Sequence, residues 1–292
     1  MEPLLNIDVD SWEACLPPVC AQRAVDGLEA GRVLFFPRLA FALQAGEEGF
    51  LDPASADGRA KNISLDPVRQ ELKGTALTGA ARAGLQAMVA RFAAHAHALV
   101  SRVLADYAPH LRFGRTSYRP VEVRQRPASY RKDDSRLHVD AFPSRPNRGE
   151  RILRVFANVN PDGRSRLWRL GEPFEDCAQR FLPRLSAPWP GSRWAMQRAG
   201  VTRGYRTLYD HYMLALHDAM KKDTGYQRWC PQTEVAFPAA TVWAVFTDQV
   251  SHAAMAGQFL FEQTFHVPVS ALRTPDHAPL RVLERLMGRQ LA

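Results

Sequence analysis

The chain has 292 residues, 46% of them hydrophobic and 23% charged, with a formal net charge of +8. That balance describes one large globular domain or two small ones, and excludes a disordered or fibrous chain. The four cysteines, Cys15, Cys20, Cys177 and Cys230, form no Cys-x-x-Cys pair, which argues against structural zinc and fits a reducing, cytosolic setting.

The opening MEPLLNIDVD has no basic segment followed by an apolar one, so no signal peptide is expected. Pro17 and Pro18 precede a helical pattern over about 19–30, and Gly31 stops it. VLFFP then reads as a buried strand, and about 46–75 as loop. A long helix follows over about 77–107. Arg91, His95, His97 and Arg102 interrupt its apolar stretch, so it reads as amphipathic rather than membrane-spanning. From Arg115 the texture changes to strands. TSYRPVEVRQR alternates, RLHVDAF is short and mixed, and RILRVFANVN alternates strongly before the turn Pro161-Asp162-Gly163. Loops and helices fill about 164–232, where Leu208, Tyr212, Leu216 and Met220 recur at a spacing of four. TVWAVF, DQVSHAAM, a turn at Gly257 and FLFEQTFHV return the chain to strands.

Strands that bracket an insertion predict an α+β fold. Its core would be a double-stranded β-helix, a cupin-like jelly roll, with an N-terminal helical region and a helical insertion. One domain over 1–292 is expected. N-terminal helices and the first strand occupy 1–112, jelly-roll strands 113–163 and 233–270, the helical insertion 164–232, and a C-terminal helix 271–292. A parallel α/β fold is disfavoured, because strands and helices do not alternate regularly and no glycine-rich phosphate loop is present.

His138-Val139-Asp140 is the chain's His-x-Asp. On extended backbone, residues i and i+2 face the same side, so an imidazole and a carboxylate converge. A histidine from a neighbouring strand would complete a 2-His-1-carboxylate set, the ligand pattern of non-haem Fe(II) oxygenases that leaves positions open for O2 and a co-substrate. His252, in the C-terminal hairpin, is the best third ligand, with His266 as its rival. His95 and His97 belong to the long helix, His211 and His217 to the insertion, and His110 and His277 to loops. Zinc hydrolysis ranks lower, since there is no His-Glu-x-x-His helix.

With these residues in place, the chain resembles the Fe(II) and 2-oxoglutarate dependent dioxygenases. More narrowly it resembles the Kdo (3-deoxy-manno-octulosonic acid) hydroxylase family, which acts on a lipopolysaccharide sugar. LHVDAFPSRPNRGERILRVFANVNP, LHDAMKKDTGYQ and VWAVFTDQVSHAAMAGQFLFEQTFHVP carry the resemblance, with GLEAGRVLFFPRLAF and ISLDP beside them. It implies hydroxylation at C3 of Kdo, with 2-oxoglutarate converted to succinate and CO2. In the broad superfamily a basic residue about ten positions after the distal histidine anchors 2-oxoglutarate. Here that region reads Phe261-Glu262-Gln263-Thr264, so the anchor is expected from the strand after His-x-Asp. Arg154 is the first choice and Arg151 the second, though Arg151 reads more readily as a solvated strand end. Asn158, on the strand face of Arg154, and Gln263 are further candidate contacts.

Arg124, Arg126, Arg131 and Lys132 are candidate contacts to the anionic sugar, and Trp168 and Trp194 face either a sugar ring or the packing of the insertion. The resemblance implies a Kdo-lipid A or other Kdo glycoconjugate substrate. The basic charge fits peripheral attachment to the anionic, cytoplasmic face of an inner membrane. No nucleic-acid signature is present, and a homo-oligomer is compatible with the sequence. Two other readings use the same residues: a hydroxylase of a protein side chain, and a non-catalytic basic jelly-roll module.

Overall fold

The computed structural model describes residues 2–123 and 129–292. Its strands are β1 (Leu4–Asn6), β2 (Val33–Phe36), β3 (Ile63–Leu65), β4 (Leu72–Lys73), β5 (Arg112–Arg119), β6 (Arg151–Asn158), β7 (Arg166–Leu170), β8 (Thr233–Phe237), β9 (Thr241–Phe246), β10 (His252–Ala256) and β11 (Leu260–Val267). Its helices are α1 (Pro18–Glu29), α2 (Gly79–Val103), α3 (Phe174–Phe181), α4 (Ser192–Arg198), α5 (Leu208–Lys222), α6 (Thr224–Trp229) and α7 (Pro279–Met287). One sheet runs β1-β2-β9-β6-β11-β5-β3-β4, and a second runs β10-β7-β8. A bridge between His138 and His252 adds the His138 segment to the edge of the second sheet.

Side-chain alternation on the large sheet creates two cores. Leu153, Val155 and Ala157 of β6, Val242, Ala244 and Phe246 of β9, and Phe261 and Phe265 of β11 pack against the N-terminal helices. There α2 offers Leu85, Met88, Val89, Phe92, Ala96, Leu99 and Val103, a stripe at helical spacing. The intervening residues Phe156, Trp243, Val245 and Leu260 turn to the other face, onto Trp168, Leu170, Val235 and Phe237 of the small sheet. With both faces covered, β6 and β9 are buried at every position. A third cluster gathers α3, α5 and α7 over Leu137 and Val139.

Three expectations need correction. The region 164–232 is not purely helical, because β7 lies in it and is the middle strand of the small sheet. Its partners are β8 and β10, far along the chain, so nothing local announces it. The region 1–112 holds β1 to β4 rather than one strand; β3 and β4 are too short for alternation to register. The long helix stops at Val103, and a 3-10 segment containing Pro109 follows it.

Arg151 is likewise not a solvated strand end: it is fully buried. Its parity places it with Leu153 on the helix-covered face. There Nε donates to Asp248 at 2.8 Å, Nη2 donates to Gln249 at 2.7 Å, and the guanidinium lies 3.8 Å over the Phe246 ring. Asp248→Ala would strand this cation, and is expected to lower unfolding free energy by about 3–5 kcal/mol in denaturant titrations. The double change Arg151→Met with Asp248→Leu removes both charges and is expected to cost clearly less. Equal losses in both variants would refute a pairing role.

Candidate metal centre

Leu137 and Val139 turn into the helical cluster, so alternation turns His138 and Asp140 the other way, into a cavity of about 570 Å³. His138 and His252 are backbone partners. His138 N–H donates to His252 O at 3.1 Å, and His252 N–H donates to His138 O at 2.9 Å. Each ring is fixed the same way: Nδ1 lies 2.7 Å from Arg136 O in one and 2.8 Å from Val250 O in the other. A carbonyl only accepts, so the proton is assigned to Nδ1 and each Nε2 keeps its lone pair. Asp140 N–H donates to Thr247 O at 2.8 Å.

One ligand atom from each of His138, Asp140 and His252 lies within 4.8 Å of the other two. Burial drives both imidazoles below their ordinary pKa, which favours the neutral, ligating form. Burial also pushes the Asp140 carboxyl up, but Arg154 outweighs it and holds the group below the usual carboxylate range. Asp140 Oδ2 makes no hydrogen bond of its own, although Arg154 Nη2 is 3.1 Å away. Two neutral imidazoles and an ionised carboxylate on neighbouring extended segments fit an Fe(II) ion with open coordination positions.

The rest of the wall is rich in paired charge. Arg154 also reaches Glu262 at 3.1 Å, Arg119 binds Glu262 and lies 3.3 Å from Asp134, and Lys61 lies 2.5 Å from Asp134. Burial pushes Glu262 up, but Arg119 and Arg154 hold it down and ionised. Arg166 differs. It is 2% exposed, and its Nη1 donates to Gly257 O at 2.8 Å. Its Nε has no hydrogen-bond partner, and no carboxylate among the described residues lies within ion-pair distance. Burial pushes its guanidinium down to about 9. A buried cation without a counter-ion, facing a cavity, marks a seat for an anion. Gly257 permits this approach: its φ is +120°, and a Cβ there would meet Arg166 Cδ at 2.7 Å. Two residues along the same face of β7, Trp168 stacks on His252 with ring centres 5.1 Å apart.

Among the residues singled out in the sequence, Arg154, Arg131 and Lys132 line this cavity with the three donors. Gln263 does not. It shares parity with Phe261 and Phe265 on the helix-covered face, where Thr116 donates to it at 2.6 Å and it donates to Thr264 O. Asn158 is spent on the carbonyls of Arg164 and Phe237, at 2.9 and 3.0 Å, and Arg151 is held by Asp248. Arg124 and Arg126 lie outside the described residues. His266 lines the cavity near Phe142 but is not in the donor group. Trp168 is buried beside the donors, whereas Trp194 is exposed on α4. Sequence reasoning missed Arg166 because it assigned β7 to a helical insertion; the Arg-x-Trp parity of RLWRL was the available signal.

A family model described as 3-deoxy-D-manno-oct-2-ulosonic acid (Kdo) hydroxylase matches residues 11–290. Among solved structures, the chain is similar to the Kdo hydroxylase KdoO, a non-heme Fe(II) alphaketoglutarate dependent dioxygenase. In its complex with alphaketoglutarate and Fe(III), identity is 48%, coverage 100% of this chain and 98% of that one, and the TM-score 0.96. For the cobalt(II) complex of the same protein the values are 49%, 99%, 97% and 0.97. For its complex with succinate and Fe(III) they are 48%, 99%, 97% and 0.96. A comparison with curated proteins finds no match.

Proposed function

This chain belongs to the Kdo hydroxylase family, and on that premise we propose that it hydroxylates C3 of the Kdo sugar carried on lipid A. It is an Fe(II) and 2-oxoglutarate dependent dioxygenase that acts on Kdo with O2 as oxidant. The reaction converts substrate, 2-oxoglutarate and O2 into hydroxylated substrate, succinate and CO2. The observation that carries the reading is the buried donor set of His138, Asp140 and His252, placed in a cation-lined cavity.

In this reading His138, Asp140 and His252 hold the iron. When bound, it supplies oxygen activation coupled to decarboxylation of 2-oxoglutarate. The chain's own groups supply position and shelter. Arg136 O and Val250 O hold the two rings in their ligating orientation. Arg154 keeps Asp140 ionised and presents positive charge to the keto-acid end of 2-oxoglutarate. Arg166, the buried cation without a carboxylate, anchors the far carboxylate. Trp168 covers the side of His252 and keeps water from it. Arg131 and Lys132, both exposed at the cavity, meet the anionic sugar, and we extend that role to Arg124 and Arg126. The two facing sheets are read as a double-stranded β-helix, with the donors at the edge of the smaller one.

The lipid-linked substrate sets the place of work. With a net charge of +8, and with no helix among the described residues long and apolar enough to cross a membrane, the protein is read as peripheral on the cytoplasmic face of the inner membrane.

Incubation of the protein with Fe(II), 2-oxoglutarate, air and Kdo-lipid A tests the activity. Succinate release is expected to rise with the lipid, and mass spectrometry to place one added oxygen on Kdo at C3. Succinate release indifferent to the lipid, or oxygen added elsewhere, would overturn the assignment.

A further inference from the structure

The stretch Cys177–Tyr209 contains six arginines and no Asp or Glu. Two of the arginines are neutralised from outside it, Arg180 by Glu172 and Arg184 by Asp223. Among the described residues, no carboxylate lies within ion-pair distance of Arg193, Arg198 or Arg203. The same surface exposes large apolar side chains: Trp189 is 85% exposed, Trp194 61%, Val201 57% and Tyr205 41%. Rings and cations are interleaved. The Arg198 guanidinium lies 5.6 Å from the Trp194 ring centre, and that of Arg193 lies 5.0 Å from Tyr205. Tryptophan and tyrosine with arginine form the combination that settles at the headgroup level of a bilayer. Isolated exposed apolar residues are ordinary, but four within one acid-free stretch are not.

This surface is also tied to the cavity. Arg203 N–H donates to Ser144 O at 2.9 Å, and the Arg206 guanidinium binds Pro143 O. Pro143, Ser144 and Arg145 line the cavity that holds the donors. Arg145 has its guanidinium pKa pushed down by burial and by the nearby charges of Arg115 and Arg203, so positive charge continues from the patch to the cavity mouth.

We propose that the segment 188–206 docks the protein on an anionic phospholipid surface, with Trp189 and Trp194 seated among the headgroups and Arg193, Arg198 and Arg203 facing phosphates. The segment then sets the cavity mouth beside the bilayer, so that a sugar on a lipid anchor enters without leaving the membrane. The claim rests on the lipid-linked substrate proposed above, and specifies how that substrate is met.

Co-sedimentation with vesicles of phosphatidylglycerol and phosphatidylcholine tests the docking without any turnover. Wild-type protein is expected to bind at low salt, to be released as salt screens the charges, and to ignore pure phosphatidylcholine. The double variants Trp189→Ser/Trp194→Ser and Arg193→Glu/Arg198→Glu are each expected to weaken binding by about tenfold or more. Trp229→Ser, an exposed tryptophan outside the segment, is expected to bind as wild type. All three are expected to keep wild-type turnover on a water-soluble Kdo glycoside and, apart from Trp229→Ser, to lose it on vesicle-borne substrate. The soluble assay reads the catalytic assignment separately, so its failure and the failure of docking are distinguishable. Wild-type protein that ignores anionic vesicles, double variants that bind them unchanged, or a patch that instead pairs two copies of the chain would overturn the proposal.

Discussion

Asp140→Asn is expected to abolish hydroxylation. Removing partners one step out from a metal costs about 10–100-fold, so loss of a ligand's charge should exceed that and reach about a thousandfold or more. The reason is local. Asp140 supplies the donor set's negative charge and is the near counter-ion of Arg154, whose other partner is Glu262. An amide in its place is a poor ligand and leaves excess positive charge in a buried wall, so a divalent cation is both less held and more repelled. Titration with cobalt(II), followed by its visible absorption, reads metal affinity apart from activity. An unchanged far-ultraviolet circular dichroism spectrum shows that the sheets persist. An Asp140→Asn variant that binds cobalt(II) and turns over like wild type would remove Asp140 from the centre. His138→Ala and His252→Ala are expected to behave alike, whereas His266→Ala is expected to retain metal.

Arg166→Leu is expected to raise the KM for 2-oxoglutarate far more than it lowers kcat. A hydrogen bond to a charged group is worth about 1.5–3 kcal/mol, which corresponds to about 10–150-fold in binding. Arg166 offers Nε and a flat guanidinium edge that no described carboxylate occupies. Arg166→Lys keeps the charge but not the planar fork, so partial recovery is expected. Arg154→Leu should differ in kind, because Arg154 touches Asp140: metal affinity and kcat are expected to fall together with 2-oxoglutarate binding. Arg166 also holds Gly257 O, so thermal unfolding of each variant separates a folding defect from a binding one. An Arg166→Leu enzyme with wild-type KM for 2-oxoglutarate would move the anchor elsewhere, with Arg154 the first alternative.

The cluster of His138, Asp140 and His252 was legible because its logic is local. His138 and Asp140 sit two apart on extended chain, flanked by the apolar Leu137 and Val139 that fix which way each faces. His252 followed from its place in a hairpin, and the structure pairs it with His138 directly. The place of Arg154 on the cavity wall was legible through parity within RILRVFAN. Parity would also have excluded Gln263, since the phenylalanines two positions either side, Phe261 and Phe265, announce a buried face. What stayed hidden depended on distant pairing. Arg151 is buried because Asp248 comes to it from the end of β9, and Arg166 reaches the cavity because β7 is gripped by β8 and β10. A five-residue strand has too few positions to declare itself against a background of loops and helices.

The mutual backbone bonds of His138 and His252 have a consequence for the life of the centre. Main-chain hydrogen bonds and the Nδ1 contacts hold both rings, so their arrangement is a property of the folded sheet. Ion uptake then requires little ordering of the chain, and most of the affinity is available to the bonds themselves. On the proposed ligand set, a folded chain without its ion would then take one up directly rather than through a cycle of melting and refolding. Bound metal should therefore raise the melting temperature by mass action while leaving the slow amide exchange of β10 intact below it.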